Sequence, residues 1–222
     1  SLFGEVAIHC MINMLIRRFI SSSTGLKEVL LVAGARTPVG SFRKSLAPCP
    51  APVLGAEAIR AAVMRAGARP EHVQEVFMGQ VLQAGAGQAP SRQAAIFAGL
   101  PLSTPTTTVN KVCASGMKAI VMAATSLAAG QQDVMVAGGQ ESMSQVPFYL
   151  RRAEPAYGGA HLEDGVVSDG LTDVYNQVHM GLCAEKTARD NSVSREQQDA
   201  YAQRSYERAQ AAAAAGVFAA EI

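Results

Sequence analysis

Val109-Asn110-Lys111-Val112-Cys113-Ala114-Ser115-Gly116-Met117-Lys118-Ala119 (residues 109–119) joins the β-branched run at 106–109 to a stretch of small, helix-forming residues. Residues 106–109 read as a strand and 113–129 as a helix that Gly130 closes. Cys113 therefore stands at the expected helix N-terminus, where backbone N–H groups lack intrahelical partners and the macrodipole is positive. Both favour thiolate over thiol. Ala114, Ser115, Gly116, Ala119, Ala123 and Ala124 let neighbouring backbones come close, so this helix is expected to be central and buried. A free cysteine is also a common small core residue, and on residue type alone that plain reading would prevail. The strand-to-helix corner, the adjoining Asn110 and Lys111 and the permissive Gly116 tip the balance toward a nucleophile for acyl transfer.

Working outward, Glu28–Ala33 is a buried apolar run with Ala35-Arg36-Thr37-Pro38 as its exit loop. Residues 52–66 form an amphipathic helix in which Leu54, Ala58, Ala61, Ala62 and Met64 oppose Glu57, Arg60 and Arg65, with Gly67 as its stop. Further strands are expected at 73–78 and 133–137 and a short helix at 91–98. Strands alternating with helices predict an α/β fold on a mainly parallel central sheet. Beyond Glu141 the character changes: Pro147, Pro155, Gly158, Gly159, Asp164, Gly165, Asp169 and Gly170 mark a loop-rich region. Ser194 and Gln197 then form a capping-box sequence that opens a long helix, with Gly216 as its stop. Three units follow: residues 1–26, an α/β domain over 27–140 and a loop domain over 141–222.

Residues 1–26 carry an apolar run with Arg17, Arg18 and Ser21 to Ser23 behind it, the signature of a mitochondrial targeting segment set apart from the fold. A membrane anchor is the rival reading. Glu5, His9 and Asn13 interrupt the apolar run, which ends at Arg17, short of the roughly 20 residues a spanning helix needs. Over the whole chain, 49% hydrophobic and 17% charged residues with a formal net charge of +1 fit an enzyme domain and speak against a nucleic-acid or membrane partner. Cys10, Cys49, Cys113 and Cys183 are widely spaced, without a C-x-x-C pair, so neither a disulfide framework nor a structural zinc site is expected.

The segment around Cys113 resembles the nucleophile segment of the thiolases. Gln80-Val81-Leu82-Gln83 through Gly87-Gln88-Ala89-Pro90-Ser91-Arg92-Gln93 is similar to a family segment that precedes it. Val136-Ala137-Gly138-Gly139-Gln140-Glu141-Ser142-Met143-Ser144 and His179-Met180-Gly181-Leu182-Cys183-Ala184-Glu185 resemble two that follow. Four segments in order are specific where one Gly-rich piece would be weak. Gln140 departs from the family's methionine or alanine. The resemblance implies the N-terminal half of a layered αβαβα thiolase fold, with residues 141–222 as an incomplete loop domain over coenzyme A.

It further implies a reversible Claisen condensation of two acetyl-CoA to acetoacetyl-CoA through an acyl-Cys113 intermediate, with a coenzyme A thioester as substrate and no prosthetic group. His179 and Met180 resemble the pair lining the acyl and pantetheine end of the pocket. Tyr206 is similar to a tyrosine that touches both coenzyme A and a potassium ion in the potassium-activated mitochondrial branch; a helix-surface tyrosine is the even alternative. Glu141 and Glu185 read as capping or backbone support. The resemblance also implies a homotetramer in the mitochondrial matrix, with the cytosol as the other address. The family's Asn-Glu-Ala-Phe, Gly-His-Pro and Cys-x-Gly-Gly-Gly motifs do not occur before Ile222, so the 222-residue chain is expected to lack turnover by itself. A β-ketoacyl synthase-like condensing enzyme and a non-catalytic piece acting only through subunit assembly remain the alternatives.

Overall fold

The computed structural model describes residues 25–152 and 157–222, together with the backbone of Met14–Phe19. A five-stranded sheet runs in the order β2-β1-β5-β3-β4. Its strands are β1 (Met14–Phe19), β2 (Glu28–Ala33), β3 (Glu75–Gly79), β4 (Thr106–Val109) and β5 (Val134–Gly139). β3 is parallel to both β4 and β5, and β1 is antiparallel to both β2 and β5, so four strands share one direction. The α/β architecture and mainly parallel sheet expected from the sequence are what the chain forms.

Helices cover both faces of the sheet, and the period-2 alternation of the inner strands divides the core between them. Helices α1 (Ala51–Arg65) and α2 (Pro90–Phe97) pack on one face. There Ile59 and Val63 of α1 and Ala94 and Ala95 of α2 bury Val76 and Met78 of β3 and Val136 of β5. Helix α3 (Ser115–Ala128) packs on the other, with Ala119, Ala123 and Leu127 against Phe77 of β3 and Met135 and Ala137 of β5. Burying these side chains supplies the main stabilisation, at about 25 cal/mol per Å² of apolar surface.

The observed elements correct several expectations. The buried stripe of α1 runs through Gly55, Ala56, Ile59, Ala62 and Val63, while Met64 is exposed. Ala58 and Ala62 of the expected apolar face are buried and Glu57, Arg60 and Arg65 are exposed, so the helix is amphipathic as read, with Met64 the departure. Helix α3 is buried only along Ser115, Gly116, Ala119, Ala123, Ser126 and Leu127; Met117 and Val121 lie open on its outer side. Met14–Phe19, set aside with residues 1–26 in the sequence reading, lies inside the sheet as β1. Its backbone pairs antiparallel with β2 on one side and with β5 on the other. Residues 1–13 and 20–24 of the targeting reading lie outside the described residues.

Beyond Glu141 the chain makes two small antiparallel pairs. β6 (Phe148–Tyr149) joins β7 (Glu163–Asp164), and β8 (Thr172–Asp173) joins β9 (Val178–His179). Helix α4 (Met180–Asp190) follows, then α5 (Arg195–Ala214), opened by the expected capping box: Ser194 Oγ accepts from Gln197 N–H, and the Gln197 side chain accepts from Ser194 N–H at 2.8 Å. The end of the chain returns to the sheet. Arg36 donates to a Glu221 carboxylate oxygen at 2.9 and 3.0 Å and lies over the Phe218 ring, and its N–H reaches the Glu221 carbonyl.

Candidate active site at the turn before helix α3

Gly79, Val109 and Gly139 are paired in register at the carboxyl ends of β3, β4 and β5. Loops leaving one end of parallel strands are where open α/β sheets place their ligand sites. The turn that carries Cys113 follows β4 there. Helix α3 begins at Ser115 rather than at Cys113 as expected, so Cys113 sits two residues ahead of the helix, in the turn itself, and its side chain is exposed.

Local hydrogen bonds build that turn. Asn110 Oδ1 accepts the Val112 N–H at 2.9 Å, and Ser115 Oγ accepts the Lys111 N–H at 2.8 Å while donating to the Val112 carbonyl. The Ala114 and Ser115 N–H groups bond the carbonyls of Lys111 and Val112. Val112 is held at φ +49°, a left-handed conformation that a β-branched residue rarely adopts. Such strain costs about 1–3 kcal/mol and persists only where surrounding structure imposes it. Strained corners of this kind cluster at reactive groups.

Close backbone approach fixes the turn against the sheet. A Cβ on Gly79 would come within 2.4 Å of the Ser115 carbonyl carbon, and one on Gly139 within 3.3 Å of Gly116 Cα. Glycine at these positions lets the first turn of α3 lie on the strand ends. Gly79, Val81, Val112, Cys113, Ser115, Gly116, Gln140 and Glu141 line a cavity of about 30 Å³ beside the thiol, room for one water.

Three buried polar side chains, Gln80, Gln140 and Glu141, stand at that cavity. Glu141 is 9% exposed, and its carboxylate accepts the Val81 N–H at 2.8 Å and the Leu82 N–H at 3.3 Å. Burial raises its pKa above the ordinary carboxylate value, and the two N–H groups oppose that rise. Gln140 Nε2 donates to Gln80 Oε1 at 2.8 Å, and Gln80 Nε2 donates to the Leu82 carbonyl. Gln140 Oε1 is left buried without a hydrogen-bond partner, pressed toward Gly55 of α1. Backbone support by Glu141 matches its sequence reading. The roles of Asn110, Ser115 and the Gln80–Gln140 pair were missed; the visible signal was a polar cluster directly following buried strands.

The other expected site residues stand elsewhere. His179 caps α4, its Nδ1 accepting the Gly181 N–H at 3.0 Å, and Met180 is 41% exposed at the start of the same helix. Tyr206 is 58% exposed on α5. None of the three lines the cavity beside Cys113. Cys49, Cys113 and Cys183 are free thiols, and Cys10 lies outside the described residues. Among the described residues no group of three His, Cys, Asp or Glu side chains is placed to hold a metal ion, and no helix is long and apolar enough to cross a membrane.

A cysteine on a strained corner at the carboxyl ends of a parallel sheet, with glycines packing its helix onto the strands, is the arrangement of a thiolase, and the chain belongs to that family: residues 29–222 match the thiolase N-terminal domain. It is 58% identical to the mitochondrial acetyl-CoA acetyltransferase of Danio rerio over 205 residues, 92% of this chain and 49% of that protein. The human mitochondrial acetyl-CoA acetyltransferase is 58% identical over 206 residues, 93% of this chain and 48% of the relative. Among solved structures, the Acat5 thiolase from Ascaris suum in complex with coenzyme A superposes with a TM-score of 0.85 at 39% identity, over 93% of this chain and 51% of that one. The chain spans about half the length of the curated relatives it matches.

Proposed function

We propose that this chain supplies the nucleophile half of an acetyl-CoA C-acetyltransferase, which reversibly condenses two acetyl-CoA into acetoacetyl-CoA. The observation that carries the reading is the exposed Cys113 immediately after the strained Val112. The Cys113 thiolate attacks the thioester carbonyl of one acetyl-CoA, and coenzyme A leaves as its thiolate. The α-carbon of a second acetyl-CoA, after losing a proton, attacks acetyl-Cys113; the new carbon–carbon bond forms as the cysteine thiolate leaves. Passing through a covalent thioester divides one difficult step into two easier ones.

The α-proton needs a base and the departing coenzyme A needs a proton. In the cavity beside Cys113 the one carboxylate, Glu141, is already committed to two backbone amides. Those groups are assigned to the part of the relatives' length that this chain does not span, so residues 1–222 alone are expected to turn over nothing. Residues 141–222 act in this reading as a loop domain over coenzyme A. His179 and Met180 line the acyl and pantetheine end, and Tyr206 touches coenzyme A and a potassium ion. The full-length enzyme works in this reading as a homotetramer in the mitochondrial matrix.

Intact-mass measurement after incubation with acetyl-CoA tests the reading, on this chain, on a version extended to the relatives' length, and on Cys113→Ser forms of both. An acetyl adduct on the extended wild type that Cys113→Ser abolishes is the expected result. No adduct on the extended wild type refutes Cys113 as nucleophile.

A further inference from the structure

The geometry points to Glu141 as a positioning residue for the nucleophile, acting on Cys113 through Val81, Asn110 and Val112; the inference rests on the reading of Cys113 as the acyl carrier. Each link is a contact in the structure. The Glu141 carboxylate accepts the N–H of Val81 at 2.8 Å. The carbonyl of the same residue, Val81, accepts from Asn110 Nδ2 at 3.3 Å. Asn110 Oδ1 in turn accepts the N–H of Val112 at 2.9 Å, and Cys113 is the next residue. Val81, Val112, Cys113 and Glu141 face one cavity, so the relay closes on itself around the thiol.

Two physical arguments raise this above ordinary loop support. Val112 is 53% exposed, so packing does not hold it at φ +49°; its N–H donating to Asn110 Oδ1 and its carbonyl accepting from Ser115 Oγ do. Asn110 is itself exposed, and a surface side chain keeps one rotamer only when both ends of its amide are engaged. Glu141 fixes the Val81 end of that engagement. Secondly, a neutral side chain could accept from a loop amide at far lower desolvation cost than a buried carboxylate. The carboxylate instead holds two successive N–H groups, Val81 and Leu82, and so sets the orientation of the peptide between them. The loop after β3 is thereby registered against the turn after β4.

Iodoacetamide alkylation of the 222-residue chain across a pH series, read by peptide mass spectrometry, tests the relay. Cys49 and Cys183 serve as internal references for Cys113. Glu141→Gln and Asn110→Ala are each expected to slow alkylation of Cys113 relative to Cys49 by about fivefold or to move its pH midpoint, because a loosened turn no longer presents the thiolate consistently. The double variant should be no slower than the slower single one, since both break the same chain of contacts. A purely structural Glu141 would lower the melting temperature and leave the Cys113-to-Cys49 ratio and pH midpoint of the folded protein at wild type, which overturns the proposal. Asn110 is exposed, so Asn110→Ala keeps the fold where Glu141→Gln does not, and a wild-type ratio and midpoint in Asn110→Ala overturn it equally. The two readings fail separately: no acetyl adduct on the extended wild type removes Cys113 as nucleophile, whereas an adduct there with unchanged alkylation in the variants removes only Glu141.

Discussion

Gly79 at the end of β3 and Ser115 at the start of α3 meet backbone to backbone: a Cβ on Gly79 would stand 2.4 Å from the Ser115 carbonyl carbon and 2.5 Å from the Gly116 nitrogen. Neither atom belongs to a side chain that could swing away. Gly79→Ala must therefore lift α3 from the strands or bend β3, and overpacking of this kind costs about 1–3 kcal/mol or more. Gly116→Ala is the control. Its Cβ would find Gly139 Cα at 3.6 Å, an ordinary contact. Chemical denaturation should show a large loss for Gly79→Ala and a change within about 1 kcal/mol for Gly116→Ala. Equal stability in the two variants would contradict the close approach.

Gly55 and Gln140 offer a coupling whose sign can be read. A Cβ at Gly55 would stand 2.0 Å from Gln140 Oε1 and 3.2 Å from Gln140 Cβ, inside a fully packed face of α1. Gly55→Ala alone should destabilise, because Gln140 cannot move without abandoning Gln80. In a Gln140→Ala background the 2.0 Å clash is gone and only the 3.2 Å approach to the remaining Cβ is left, so the penalty shrinks against a helix-propensity gain of up to about 1 kcal/mol. The predicted outcome of the double-mutant cycle is a strong coupling: alanine at 55 harms the wild type clearly more than it harms the Gln140→Ala protein. Additive effects would mean that the two residues do not touch.

The legible parts of this fold were those with length and a boundary signal. Glu28–Ala33 and Thr106–Val109 matched their expected strands, although the first, expected to be buried, leaves Leu31 and Val32 exposed, and the Ser194 capping box opened α5 where its sequence placed it. The start of α3 was displaced from Cys113 to Ser115, because the Asn110 and Ser115 side chains offer the backbone hydrogen bonds that compete with helix. Strands of two residues, such as Phe148–Tyr149 and Thr172–Asp173, carry no periodicity to read. For the site, Cys113 stood out through its neighbours. The Glu141–Val81–Asn110 contacts join residues 60 and 29 positions apart, and such pairings follow only from the sheet order.

Arg36 ties the chain's end to the exit loop of β2. Its guanidinium is largely buried, pairs with Glu221 at 2.9 Å and lies 5.1 Å from the centre of the Phe218 ring. Removing the cation leaves a half-buried carboxylate and an uncovered ring. Arg36→Ala is expected to cost about 1–3 kcal/mol, and Arg36→Lys should recover only part, since a point charge cannot reproduce planar stacking and a forked contact. Hydrogen exchange at residues 216–222 measures this directly. Faster exchange confined to that segment and the loop at 34–37 is expected in Arg36→Ala; unchanged protection would show that the contact holds nothing.

Tyr149 gives a pH dependence with a definite sign. Its hydroxyl donates to Asp169 Oδ2 at 2.6 Å, and burial, that hydrogen bond and the charges of Asp169 and Asp164 push its pKa from 10.0 up to about 12. The folded state thus holds the phenolic proton more tightly than the unfolded chain does. Between pH 10 and about 12 the folded protein binds more protons than the unfolded one, so stability falls as pH rises. The contribution is complete below pH 10 and is lost as pH climbs through about 12. The melting-temperature difference between wild type and Tyr149→Phe should therefore stay constant up to pH 10 and shift against the wild type above it. Asp169→Asn removes the charge while keeping an acceptor, and should bring the tyrosinate absorbance midpoint back toward 10. A wild-type Tyr149 that already titrates near 10, isolated by subtracting the Tyr149→Phe spectrum, would mean that the Asp169 contact is not made in solution.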